Sequence, residues 1–151
     1  MPLASILPAG DLQRIFDSFN RAGKTYGIEF HPQELMANSR LAIEATEFAR
    51  DKGLFHPFHD RVFQAYFTEG LDIGRQEVLL DLAGEVGLNR EELRQSLQES
   101  RYVPRLQEIR DKVGRYGISA TPTFILNGGQ RIVGAQPLEV FRKVLAAMVK
   151  E

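Results

Sequence analysis

Apolar positions recur at helical spacing through most of this chain and change to a strand rhythm only near its end. Leu12, Ile15, Phe16 and Phe19 repeat every three or four residues, which predicts a first helix after Gly10, capped by Asp11 and ended by Gly27. Residues 28–33 read as a connector. The stretch "ELMANSRLAIEATEFARDKG" predicts a second helix, with Leu41, Ala45 and Phe48 on one face and Gly53 at its end. "FHPFHDRVFQAYFTEG" predicts a third, started near Pro57 and carrying Phe58, Val62, Phe63 and Tyr66. Asp72 or Gly74 opens a fourth, which Gly87 ends. Asn89 with Glu92 three residues on is a capping box for a fifth, and a sixth begins around Pro104.

The pattern changes after Ser119. "TFIL" is a short β-prone run, "NGG" supplies the positive φ angles of a tight turn, and "QRIVG" is the returning strand. Pro137 then starts a last helix with Val140, Val144, Leu145 and Met148 along one face. A two-stranded hairpin alone is marginal in water. "TFIL" is therefore expected inside a larger sheet, for which residues 3–7 are the one further strand candidate in this chain.

Composition narrows the function classes. A chain of 151 residues with 43% hydrophobic and 26% charged positions suits one soluble globular domain. Its 19 basic and 20 acidic residues are interspersed and give a net charge of −1, so no basic surface for nucleic acid or an anionic membrane is expected. No apolar run approaches the roughly 20 residues of a membrane span. "MPLASILPAG" lacks the basic start of a signal peptide, and the cytoplasm is the default location. The absence of cysteine removes disulfides and thiolate zinc sites. "HPFHD" sets His56 and His59 three apart with Asp60 adjacent, but reads as loop and helix positions rather than a metal pair; His31 stands alone beside Pro32. Ser5, Ser39 and Ser119 sit in no nucleophile elbow. No catalytic residue, metal or cofactor is expected.

Four stretches, taken in order, resemble one family. "NSRLA" at 38–42, "FHDRVFQAYFTEGLDI" at 58–73, "LLDLAGEVGL" at 79–88 and "GISATPTFILNGGQRIVGAQP" at 117–137 resemble the DsbA-like thioredoxin-fold proteins. The resemblance is greatest to their FrnE-type branch, whose relatives include 2-hydroxychromene-2-carboxylate isomerases. It implies an α/β, incomplete thioredoxin-like fold over residues 1–151 as a single truncated domain. A helical insert would cover about 33–116, and the C-terminal half, hairpin plus closing helix, 117–151. "MPLASILP" resembles the segment that follows the family's second strand, so the strand, Cys-x-x-Cys helix and strand before it would be missing. The partner strand of 123–126 would lie in that missing part.

For function, the resemblance implies a member of the protein disulfide oxidoreductase family that is cysteine-free and not redox-active by itself, since no other side chain substitutes for a thiolate in disulfide exchange. Thr121-Pro122 matches the family's cis-proline loop, whose implied role is contact with the substrate backbone and side chains. Asn38 matches a position on the insert face that lines the cleft, and its residue type also suits a helix cap. Phe58, Phe63, Tyr66 and Phe67 read as core rather than ligand surface. Two other readings stay open, a non-catalytic binding or dimerisation module and a glutathione-dependent isomerase relative. A bare apolar strand edge templates pairing. A homodimer through that edge is expected, disrupted by Ile125→Lys, with a peptide or glutathione-like molecule as ligand.

Overall fold

The structure, a computed structural model, describes residues 2–5, 8–32, 35–127 and 129–148. Seven helices and one hairpin follow in the order α1 Ala9–Gly23, α2 Arg40–Asp51, α3 Phe55–Phe67, α4 Gln76–Glu85, α5 Arg90–Gln98, α6 Val103–Arg115, β1 Thr123–Leu126, β2 Gln130–Val133 and α7 Leu138–Met148. The chain divides after Leu106 into two compact units. Among the described residues no helix is long and apolar enough to cross a membrane.

The first unit is built around α2 to α5. Phe48, Phe58, Leu79, Leu80, Leu82 and Leu93 are fully buried, and Ala42, Ala45, Ala49, Ala65 and Ala83 let the helices approach between them. Half of the expected capping box of α5 is present: Asn89 Oδ1 accepts from the amides of Glu91 and Glu92, both at 3.0 Å, while the Glu92 carboxylate is taken by Lys52.

Three helix starts differ from the sequence expectation, each for a local reason. α1 begins at Ala9, because the Pro8 carbonyl accepts the amide of Asp11 at 2.9 Å; the Asp11 side chain bonds Arg14 instead of capping. The helix ends at Gly23, followed by a 3-10 turn Lys24–Tyr26 that Gly27 closes in the left-handed region. α2 begins at Arg40, not near Glu34, because Leu35 forms an isolated bridge with Pro2 and Asn38 takes the Arg40 amide. α4 begins at Gln76, since Asp72 Oδ1 is engaged by the Gly74 amide at 3.0 Å in a turn of its own. Residues Leu3–Ser5 are a 3-10 turn rather than a strand. Ile6 and Leu7 lie outside the described residues.

The C-terminal end of α2 is tied to the start of α6 through Asp51. The Tyr102 hydroxyl donates to Asp51 Oδ2 at 2.8 Å, and Arg105 donates to both Asp51 oxygens at 2.9 and 3.1 Å and to Glu47 Oε2 at 3.2 Å. The Arg105 bond, and then the Tyr102 bond, hold the Asp51 carboxyl below its ordinary range. Burial, reinforced by the bond to Asp51, pushes the Tyr102 hydroxyl up to about 12. A depressed carboxylate stabilises the fold above its unfolded value and loses that contribution as pH falls through the folded one. A raised phenol does the reverse, and its contribution fades as pH climbs from its ordinary value near 10. We expect Arg105→Gln to flatten the fall in melting temperature between pH 5 and 3, while Tyr102→Phe flattens the fall above pH 10. A carboxyl of Asp51 that titrates by NMR at its ordinary value in the native protein would refute the first.

In the second unit β1 and β2 pair antiparallel, with Thr123 opposite Val133 and Leu126 opposite Gln130, as a two-stranded sheet. Phe124 meets Phe141 of α7 edge-on, ring centroids 4.9 Å apart. Among the described residues of this unit Ile132 is the one buried apolar side chain. Ile109, Val113 and Tyr116 of α6 and Leu138 and Leu145 of α7 are exposed, so the expected apolar face of the last helix is only partly covered.

Candidate functional site

The Thr121–Pro122 peptide bond is cis. Both residues are exposed, and the segment is held by neighbours on either side. Upstream, the Thr123 hydroxyl donates to the carbonyl of Ala120 at 2.6 Å. Downstream, the Gly134 amide donates to the carbonyl of Pro122 at 2.7 Å. That bond continues the β1–β2 ladder by one pair. Thr121 N–H and C=O have no hydrogen-bond partner among the described residues.

Gly134 has φ +82°, which favours glycine. Gln136 closes the turn around it, donating from Nε2 to the Val133 carbonyl at 2.9 Å and from its amide to the Gly134 carbonyl at 3.0 Å. Arg110, Lys112, Arg115, Arg131 and Lys143 make no ion pair among the described residues of this unit, where Arg142 and Glu139 are paired.

Asn38 belongs to the first unit. Its Oδ1 accepts from the Arg40 amide at 3.1 Å, closing a turn just ahead of α2; the cap position itself is Ser39, whose side chain makes no capping bond, so Asn38 is not the cap its residue type suggested. From Ser39 onward a groove of about 440 Å³ runs between α2 and α3, lined among others by Ile43, Thr46, His59, Phe63 and Phe67. The Thr46 hydroxyl is engaged by the Ala42 carbonyl and that of Tyr66 by Leu35. A second groove, of about 580 Å³, shares His59, Phe63 and Phe67 with the first and reaches Ile28 and Phe30. Asn20 holds Phe30 there by two bonds, donating to its carbonyl at 2.8 Å and accepting its amide at 2.7 Å.

Phe63 is 52% exposed, whereas Phe58 is fully buried. The expectation of four core aromatics therefore holds for Phe58 and fails for Phe63. Phe58, Val62 and Ala65 form the inward face of α3, while Phe55, His59, Phe63 and Phe67 recur every four residues along a stripe beside it. His59 is stacked within that stripe, its ring 5.3 Å from Phe55 and 4.5 Å from Phe63. Its Nδ1 lies 3.5 Å from Asp60, and His56 is a surface position. Among the described residues no three His, Asp or Glu side chains are grouped to hold a metal ion.

Sequence reasoning singled out Thr121 and Pro122 but missed Thr123, Gly134 and Gln136, although all three lie in the stretch it quoted. It also missed the half-buried stripe, exposed at Phe63, whose four-residue spacing was legible in "FHPFHDRVFQAYF".

A profile of the DSBA-like thioredoxin domain matches residues 3–146. The Bacillus subtilis protein YwbO is 36% identical over 107 residues, which are 70% of this chain and 53% of YwbO; the chain spans about half the length of that curated relative. A probable DsbA oxidoreductase from Streptomyces coelicolor superposes with a TM-score of 0.88 at 21% identity, covering 100% of this chain and 68% of that one. A candidate protein disulfide isomerase from Nitrosomonas europaea gives 0.69 at 19% identity, covering 95% and 76%. At such identities these two structures speak for the fold, which is the mostly helical, thioredoxin-type arrangement expected from the sequence. With the profile match running almost from end to end, the chain belongs to the DSBA-like thioredoxin domain family.

Proposed function

We propose that this chain is a substrate-binding member of the DsbA/FrnE-type line that does not itself exchange disulfides, and that it contacts an extended polypeptide through Thr121 and Pro122. The observation that supports the binding half is the state of the loop. Its flanking carbonyls, on Ala120 and Pro122, are both bonded within the protein, while Thr121 presents an unpaired N–H and C=O at an exposed position. An extended segment pairs with such groups as a strand does. The other half rests on composition. Disulfide exchange proceeds by thiolate attack and a mixed disulfide, and this sequence has no cysteine.

Asn38 is kept as a separate candidate contact; its side-chain oxygen accepts the Arg40 amide just before α2. A glutathione-like molecule, with two peptide bonds, is the smaller ligand that could use Thr121. Self-association is the second reading, favoured by the lone hairpin, whose β1 has β2 as its sole strand neighbour among the described residues. The cytoplasm is kept as the location, to be checked by fractionation.

The test is an NMR titration of the full chain with an N-acetylated, C-amidated peptide of alternating valine and threonine, and separately with glutathione. The Thr121 and Thr123 amides should shift first, and the chain should not accelerate reduction of insulin by dithiothreitol. No shift at 119–123 at millimolar peptide would sink the binding reading, and accelerated reduction would sink the other half. Light scattering in the same buffer decides self-association, since a monomer at micromolar concentration removes it.

A further inference from the structure

We propose that Thr123 and Gln136 are positioning residues for the Thr121–Pro122 loop, each acting on one peptide unit; the inference rests on the binding reading above. A peptide unit is planar, so its C=O and the following N–H turn together. The Ala120 carbonyl and the Thr121 N–H are two ends of the same plane. By donating to that carbonyl at 2.6 Å, the Thr123 hydroxyl sets the direction in which the free Thr121 N–H points. It also polarises that N–H, because hydrogen bonds in a chain strengthen one another.

The same logic holds on the other side of the loop. The Val133 carbonyl and the Gly134 N–H share a plane. The Gln136 side chain grips its carbonyl end at 2.9 Å, while its N–H end grips the Pro122 carbonyl at 2.7 Å. Two side chains thus orient two peptide units, Ala120–Thr121 in the loop itself and Val133–Gly134, which holds the loop by the Pro122 carbonyl, and neither offers its own atoms to a ligand in this role. Thr123 opens β1, where valine fits as well as threonine. Its hydroxyl therefore has no structural necessity in the strand itself.

The experiment compares the full chain with Thr123→Val, Thr123→Ser and Gln136→Ala. We expect Thr123→Val to leave the melting temperature within a few degrees of wild type. The Thr121 amide proton should move upfield, and the affinity for the alternating valine–threonine peptide should fall two- to tenfold, the range for one lost hydrogen bond. Thr123→Ser should restore both. Gln136→Ala should broaden or move the Gly134 amide resonance and weaken binding similarly. An unmoved Thr121 resonance in Thr123→Val, or unchanged affinity in both Thr123→Val and Gln136→Ala, overturns the positioning role. Wild type that binds no peptide removes the reading on which it rests, and the resonance comparison still decides whether Thr123 orients the Thr121 amide.

Discussion

Phe58→Ala is expected to cost about 3–5 kcal/mol of folding stability, the range for truncating a buried aromatic. Phe58 is fully enclosed on the inward face of α3, in one cluster with Phe48, Leu79 and Leu93. The surrounding side chains belong to several helices, so collapse onto the vacated volume would need those helices to move together. Phe63→Ala is the control. Phe63 lies on the same helix but is 52% exposed, so its loss should cost about 1 kcal/mol or less. Urea unfolding followed by far-ultraviolet circular dichroism measures both. Equal losses for the two variants would mean that the inward face of α3 has been assigned to the wrong residues.

Gly23→Ala should destabilise by about 1–3 kcal/mol, the usual cost of forcing atoms into a packed place. On helix propensity alone the change should stabilise, since alanine is favoured over glycine by about 1 kcal/mol. Space decides against that. A Cβ on Gly23 would stand 2.6 Å from the Ile28 carbonyl oxygen and 3.1 Å from the Phe30 ring. The carbonyl is backbone, and the Ile28 amide is bonded to the Gly23 carbonyl at 3.1 Å, so the turn cannot open without losing that bond. The same unfolding experiment gives the sign. A stabilised variant would show that the turn after α1 is free to move.

What the sequence made legible was mostly local. Asn89 and Glu92 announce the start of α5 because a cap involves residues two and three positions away. "TFILNGGQRIV" announces its hairpin through the turn residues, and the strands fall at the expected positions. The start of α2 was misplaced because the residues before Asn38 have a helical pattern of their own, and a bridge from Leu35 to Pro2, far away in sequence, competes with it. Phe63 was misassigned for a related reason. Spacing identifies a stripe, but only the packing of α2 and α4 against α3 decides which stripe is covered. At the candidate site, the motif pointed to Thr121 and Pro122. The contributions of Thr123 and Gln136 depend on which carbonyl each side chain reaches, and residue types alone do not carry that information.

Among the described residues of the second unit a single apolar side chain is buried, which bears on how stably the unit is ordered. A native state stabilised by little internal burial opens at low free energy, and amide exchange in such a region reports local opening rather than global unfolding. A ligand that engages only the closed form adds RT ln(1 + [L]/Kd) to its stability, about 2.7 kcal/mol at a hundredfold excess over Kd. For the core around Phe58 that increment would be a modest supplement. For a unit with so little internal burial it would weigh more, so if the proposed ligand binds at Thr121, amide exchange across the described residues of 107–148 should slow on its addition.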